Sequence, residues 1–153
     1  MIKKFFGNIL LALLTALLAV FIGCTAKSMS LDPTPYSQDD FGTTSAGGIS
    51  VATERKTYGT GTSEISYTVV NSSADQVYYG VSYSIEKKEQ GQWYQMPFRD
   101  DTAWIAIAYQ LDAGQSQTYT ADLSLLKNSL SAGEYRLIKQ IGEKVYAAEF
   151  TLS

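Results

Sequence analysis

From Ile49 to the end of the chain, apolar and polar positions mostly alternate. Ile49, Val51 and Thr53 take one side of a first run. Ile65, Tyr67 and Val69 do so in a second, with Ser66 and Thr68 between them, and Val81, Tyr83 and Ile85 alternate with Ser82, Ser84 and Glu86 in a third. A period of two puts successive side chains on opposite faces of a strand, so each run predicts a strand with one buried face. The breaks carry turn chemistry at Tyr58-Gly59-Thr60-Gly61 and Asn71-Ser72-Ser73. Gln90-Gly91 joins the third run to Trp93-Tyr94-Gln95-Met96 as a hairpin, which Pro97 ends.

Ala103 to Tyr109 predicts the next strand, with Ile105, Ile107 and Tyr109 on its core face. Ala113-Gly114 turns the chain into Ser116 to Asp122, where Tyr119 and Ala121 alternate with Thr118 and Thr120. Leu123, Leu126 and Leu130 switch to helical spacing, predicting a turn or two of helix that crosses between sheets. Glu134 to Ile141 and Lys144 to Leu152 predict the last two strands. Gly142-Glu143 between them suits a two-residue type II′ turn, because glycine takes positive φ at its first position. The pattern implies an all-β, antiparallel β-sandwich of about seven to eight short strands in one domain, residues 49–153. A domain of this size hides about two-thirds of its unfolded surface, enough to fold without a disulfide staple.

Residues 25–48 lack either period. They are polar, with Pro33, Pro35 and three glycines, and predict a flexible linker whose root-mean-square reach is about 25–30 Å. Whether Tyr36 and Phe41 clip it to the domain is open at this stage. Its Asp39 and Asp40 read as solvated linker polarity rather than a cation site.

Residues 1–23 look like an address label. Lys3 and Lys4 form a positive start, and Ile9 to Ile22 is apolar apart from Thr15. Phe21-Ile22-Gly23-Cys24 then resembles the lipobox of bacterial lipoproteins. That resemblance implies cleavage between Gly23 and Cys24, lipid on the Cys24 sulfur, and a mature chain that begins with residues 24–48 as lipidated cysteine and linker. Phe21 stands where such boxes usually carry leucine. The competing reading is a retained transmembrane helix from Phe5 to Gly23, though no basic stop-transfer cluster follows. Either reading puts the rest of the chain outside the cytoplasm, and more than one acyl chain makes the anchor durable. The membrane is therefore an expected partner, through Cys24.

The composition narrows the chemistry. The chain holds 12 basic and 15 acidic residues and no histidine. Without Lys3 and Lys4 the balance becomes 10 basic against 15 acidic, a net charge of −5. An acidic body is poorly suited to nucleic acid, which demands phosphate-neutralising Lys and Arg patches. Lack of histidine removes the usual neutral-pH base and the commonest metal ligand. Cys24 is the only cysteine, so zinc and internal disulfides are not expected. All 11 tyrosines follow residue 35, which favours half-buried strands and wet interfaces alike.

From Ile49 to Leu152 the chain resembles a bacterial immunoglobulin-like domain of the Big type. The matching stretches are Lys56-Thr57-Tyr58, Ile65 to Ser72, Tyr83 to Lys87, Gly91 to Pro97, Tyr109 to Gly114, and Gly133 to Lys139. The resemblance implies an immunoglobulin-like β-sandwich outside the cytoplasm, with no chemistry to transfer. Leu130 to Arg136 resembles the start of strand F in such domains, which would make Tyr135 a structural tyrosine corner.

Few residues suggest a site. Asp100, Asp101 and Asp112 could form a carboxylate pair or a calcium site, but adjacent aspartates on a loop tip usually serve only as solvated polarity. No catalytic residue and no cofactor is expected. Recognition through aromatics is the sharper idea. Trp104 should lie opposite Ile105 and Ile107, flanked by Ala106 and Ala108, with Trp93, Tyr94 and a loop carrying Tyr78 and Tyr79 extending the surface. Against it stand a core role for Trp93 between the sheets and a covered Trp104. The expected function is non-catalytic binding of an envelope protein or accessory sensing beside a membrane partner, the alternative being binding of a cell-wall glycan through those aromatics.

Overall fold

The computed structural model describes residues 31–43 and 48–153. The cleavage and lipidation assignments at Gly23 and Cys24 lie outside the described residues. The described chain forms ten strands: β1 (Ile49–Thr53), β2 (Thr57–Tyr58), β3 (Glu64–Asn71), β4 (Val77–Gly80), β5 (Ser84–Glu89), β6 (Gln92–Gln95), β7 (Ala108–Leu111), β8 (Ser116–Asp122), β9 (Gly133–Ile141) and β10 (Lys144–Leu152). They build a three-stranded sheet, β1-β3-β8, a five-stranded sheet, β2-β10-β9-β5-β6, and a small β4-β7 ladder. All pairings are antiparallel except β2 with β10, which is parallel. The fold is an all-β, immunoglobulin-like sandwich.

The alternation builds the core. On β3, Ile65, Tyr67 and Val69 are buried while Ser66, Thr68 and Val70 are half-exposed. Tyr135 and Leu137 of β9 and Ala148, Phe150 and Leu152 of β10 join them in the same cluster. The Gly142 turn has positive φ only at its first position (61°), as a type II′ hairpin requires. Tyr135 is fully buried, and its hydroxyl donates to the Ser131 carbonyl at 2.8 Å, closing the crossover into β9. The helical spacing at Leu123–Leu130 yields only one 3₁₀ turn, Leu123–Leu125, capped by Asp122 accepting from the Ser124 amide.

Three features depart from the sequence reading. First, Val77–Gly80 is a strand rather than a loop, paired with β7, and the chain breaks at Val81–Tyr83 before β5 begins. Second, Asn71 is buried rather than a turn-tip residue. Its amide donates to the carbonyls of Asp75, Leu111 and Asp112, and its oxygen accepts from Ser73. Third, the described part of the expected linker is fastened to the domain.

That third feature is a strap. Thr34 and Asp32 hydrogen-bond along the free edge of β6, through Thr34 N–H to Trp93 O and Gln95 N–H to Asp32 O. At its other end Phe41 bridges Val145 on the opposite edge of the sheet, and the Gly42 amide donates to the Val145 carbonyl. The strap therefore crosses the sheet's outer face. Beneath it the Glu86 and Arg136 side chains pair at 2.6 Å, with Glu86 wholly buried, and Thr34 Oγ1 donates to the same carboxylate at 2.6 Å. The Arg136 guanidinium lies 4.9 Å from the Phe41 ring and 4.4 Å from the Trp93 ring. Gly42 passes so close to the Tyr146 ring that any Cβ would collide with it.

β9 also supplies a second buried cation, facing inward. Lys139 is 1% exposed, and its ammonium donates to the carbonyls of Gly80 (2.6 Å) and Ser82 (2.8 Å). It holds the break between β4 and β5. Burial pushes its pKa down to about 8.

Candidate interaction surface

The alternation predicts a strand from Ala103 to Tyr109 with Ile105, Ile107 and Tyr109 on its core face and Trp104 on the opposite one, either open to a partner or covered. The structure departs from this over residues 103–107. No strand forms before Ala108, Ile105 is 65% exposed and Ile107 46%, and the Trp104 ring packs inward at one edge. Trp104 meets Tyr83 at 4.9 Å and Phe98 at 5.3 Å, both edge-on. Tyr83 in turn contacts Tyr67 in the core, and its hydroxyl is locked between the Asp122 amide and carbonyl. The physical reason is pairing. Alternation selects the faces of a strand only once a neighbouring strand fixes it, and among the described residues no backbone hydrogen bond ties Ala103–Ala106 to one. The local constraint is a tight turn, Ile107 N–H to Ile105 O.

The result is an apolar surface with a rigid root. The large apolar side chains exposed among the described residues are Tyr78, Trp104, Ile105 and Ile107. Three lie on this one segment, and Tyr78 lies on β4, the strand paired with its continuation, β7. The tilted and edge-on rings of Tyr79, Tyr109 and Tyr119 stack behind that ladder, with the Tyr79 and Tyr119 hydroxyls joined at 2.9 Å. Burial raises the pKa of Tyr83 to about 12 and those of Tyr67 and Tyr79 further still, so these three hydroxyls stay neutral. A pre-positioned aromatic cluster in the ladder that continues from exposed isoleucines suits burial against another protein.

The other sequence candidates scatter. Trp93 is neither an inter-sheet core residue nor near Trp104. It stands half-buried on the outer face of the five-stranded sheet, against Arg136 and Lys88. Tyr94, beside it on β6, bridges Pro33 of the strap, and its hydroxyl donates to Gln92. The aspartates do not converge. Asp100 pairs with Lys127 (3.1 Å), Asp101 with Arg99 (3.3 Å), and Asp112 accepts from Gln76 and Gln110. Among the described residues no group of three or more His, Cys, Asp and Glu side chains could hold a metal ion. Sequence reasoning missed Arg136, Glu86 and Lys139 because a charge inside an alternating strand normally marks the solvent face.

The architecture defines an immunoglobulin-like sandwich that presents an apolar edge. More particularly, a model of the bacterial Ig-like domain matches residues 45–151, and the chain belongs to that family. No curated protein is matched. Among solved structures, a β-glucosidase from Erythrobacter marinus is similar at 13% identity and TM-score 0.38, covering 69% of this chain and 15% of that one. A β-glucosidase from Listeria innocua with bound glucose is similar at 15% and 0.36, over 69% and 16%. The alkylpurine DNA glycosylase of Pseudomonas fluorescens is similar at 13% and 0.42, over 71% and 31%. This chain thus corresponds to a minor part of each of those proteins.

Proposed function

We propose that this protein is a non-catalytic binding module, held outside the cytoplasm by lipid on Cys24, that docks a cell-envelope protein through the segment 103–107 and Tyr78. The observation that carries this reading is the exposure of Trp104, Ile105 and Ile107 on one segment whose backbone lacks a strand neighbour, with Tyr78 exposed on the strand paired to that segment's continuation. The partner it suits is an extended apolar strand, whose backbone would pair with Ala103–Ala106 and whose side chains would cover Ile105 and Ile107. The lipobox-like stretch supplies the anchor, and the family is consistent with an extracellular module.

In-cell photocrosslinking tests it, with a photoreactive residue at position 105 in the full anchored chain and a control at Gln117, which is exposed on β8. One dominant protein adduct from position 105, absent from position 117 and lost on Ile107→Asp, is the expected result. Equal adducts from both positions, or none from 105, would overturn the docking surface. Cys24→Ser should move the protein out of the membrane fraction, and if it stays there the lipid anchor is wrong.

A further inference from the structure

The strap covers only part of the five-stranded sheet's outer face. Beyond it lies an open groove of about 290 Å³, lined by Lys56, Trp93, Glu134, Glu149 and Thr151 over the backbone of Tyr135 and Phe150. We propose that this groove binds the end of a neutral oligosaccharide, independently of the protein-docking surface at 103–107.

The lining offers one aromatic wall and several polar groups. Trp93 provides an indole whose position is fixed by the Arg136 guanidinium at 4.4 Å. An aromatic wall beside polar groups matches the apolar face and hydroxyl rim of a sugar ring. Glu134 is held by Lys88 at 3.4 Å, and the Lys88 ammonium is 5.5 Å from the Trp93 ring, so wall and carboxylate form one unit. The Lys56, Glu149 and Thr151 side chains have no hydrogen-bond or ion-pair partner among the described residues. Lys56 and Glu149 are exposed and Thr151 half-buried, so all three are open to a ligand that enters the groove. Carboxylates accept from hydroxyls, while ammonium donates to them, and a sugar hydroxyl does both.

Charge selects against the alternatives. The lining carries one ammonium, Lys56, and two carboxylates, Glu149 and the Lys88-paired Glu134, so an anionic ligand meets repulsion from the carboxylates and a cationic one meets it from Lys56. A neutral polyhydroxylated ligand meets none. The volume lies at the small end of ligand clefts, about 300–1,000 Å³, which fits a glycan end rather than a long polymer lying flat.

The test uses the full chain carrying Trp104→Phe, which leaves Trp93 as its only indole. Cellotriose and chitotriose are titrated while tryptophan fluorescence is read. Saturable change in the millimolar range with at least one is expected. Glu149→Gln and Lys56→Met should each weaken it by about tenfold, the usual loss for one hydrogen bond to a charged group. No saturable change with either sugar would overturn the proposal, as would a response indifferent to both substitutions. A response confined to a charged probe, oligogalacturonate or an oligolysine, would overturn it too. Crosslinking from position 105 reads a different surface, so this outcome and that one fail separately.

Discussion

Two segments of this chain sit where their residue pattern does not point, and a cation from β9 stands behind each. Residues 31–43 are polar and proline-broken, yet they lie fixed across a sheet, over Arg136. Residues 103–107 are apolar and alternating, yet they stand exposed, beside a ladder that Lys139 ties to the β4–β5 break. The partners differ. Arg136 faces outward, meets a buried carboxylate and is enclosed by two rings. Lys139 faces inward and meets two carbonyls and, at 5.5 Å, the Tyr79 ring, but no carboxylate. A paired buried charge can recruit a segment with little hydrophobicity of its own. An unpaired one keeps a bend in place but leaves the neighbouring apolar stretch uncovered.

The strap side should break hardest. Arg136→Ala strands the Glu86 carboxylate in the interior, and losing one partner of a buried pair costs about 3–5 kcal/mol. Urea unfolding should show that loss, and limited proteolysis should open the strap between Asp32 and Phe41. Replacing both charges with apolar residues, Glu86→Leu with Arg136→Met, should recover most of the stability, because the desolvation cost disappears with the pair. Recovery of stability without recovery of protease resistance would separate the two roles of the pair: filling the face and holding the strap.

This contrast also shows what could be read in advance. The faces of β3, β8 and β10 were legible because burial on one side of a paired strand writes itself directly as alternation. The Gly142 hairpin was legible because a positive φ demands glycine. The segment 103–107 was misread for the same reason that the others were read well: alternation reports the residue types a strand would use, and does not say whether a neighbour exists. Val77–Gly80 was missed because four residues carry too little periodicity. The groove was illegible too. Trp93, Glu134 and Glu149 come from three strands and Lys56 from the residue before β2, and only sheet order brings them together.

The Lys139 side should respond to pH. Its folded pKa, about 8, lies below the unfolded value near 10.5, so between those values the unfolded chain binds more protons and stability rises with pH. The gain should reach about 2 kcal/mol by pH 10, at about 1.4 kcal/mol per pH unit. Above pH 10 the trend reverses, since Tyr83 keeps its proton to about 12 when folded but loses it near 10 when unfolded. Thermal melts across pH 7 to 11 should therefore pass through a maximum. Lys139→Met should flatten the rising limb and leave the falling one, and a persistent rise in that variant would place the titrating group elsewhere.

The smallest effect is the most discriminating. Were Ile105 and Ile107 on a core face, as their alternation predicts, truncating either to alanine would cost about 2–5 kcal/mol. In this structure Ile105 is largely exposed and Ile107 about half exposed in the folded state, so Ile105→Ala should change stability by less than about 0.5 kcal/mol and Ile107→Ala by well under the core penalty. Ile65→Ala on β3, wholly buried in the same kind of alternating run, supplies the internal standard and should show the full core penalty. Chemical denaturation of the three variants settles which stretch of alternating residues has a partner. A core-sized loss at Ile105 would mean that something in the folded protein covers this edge, and that surface would no longer be free for another chain.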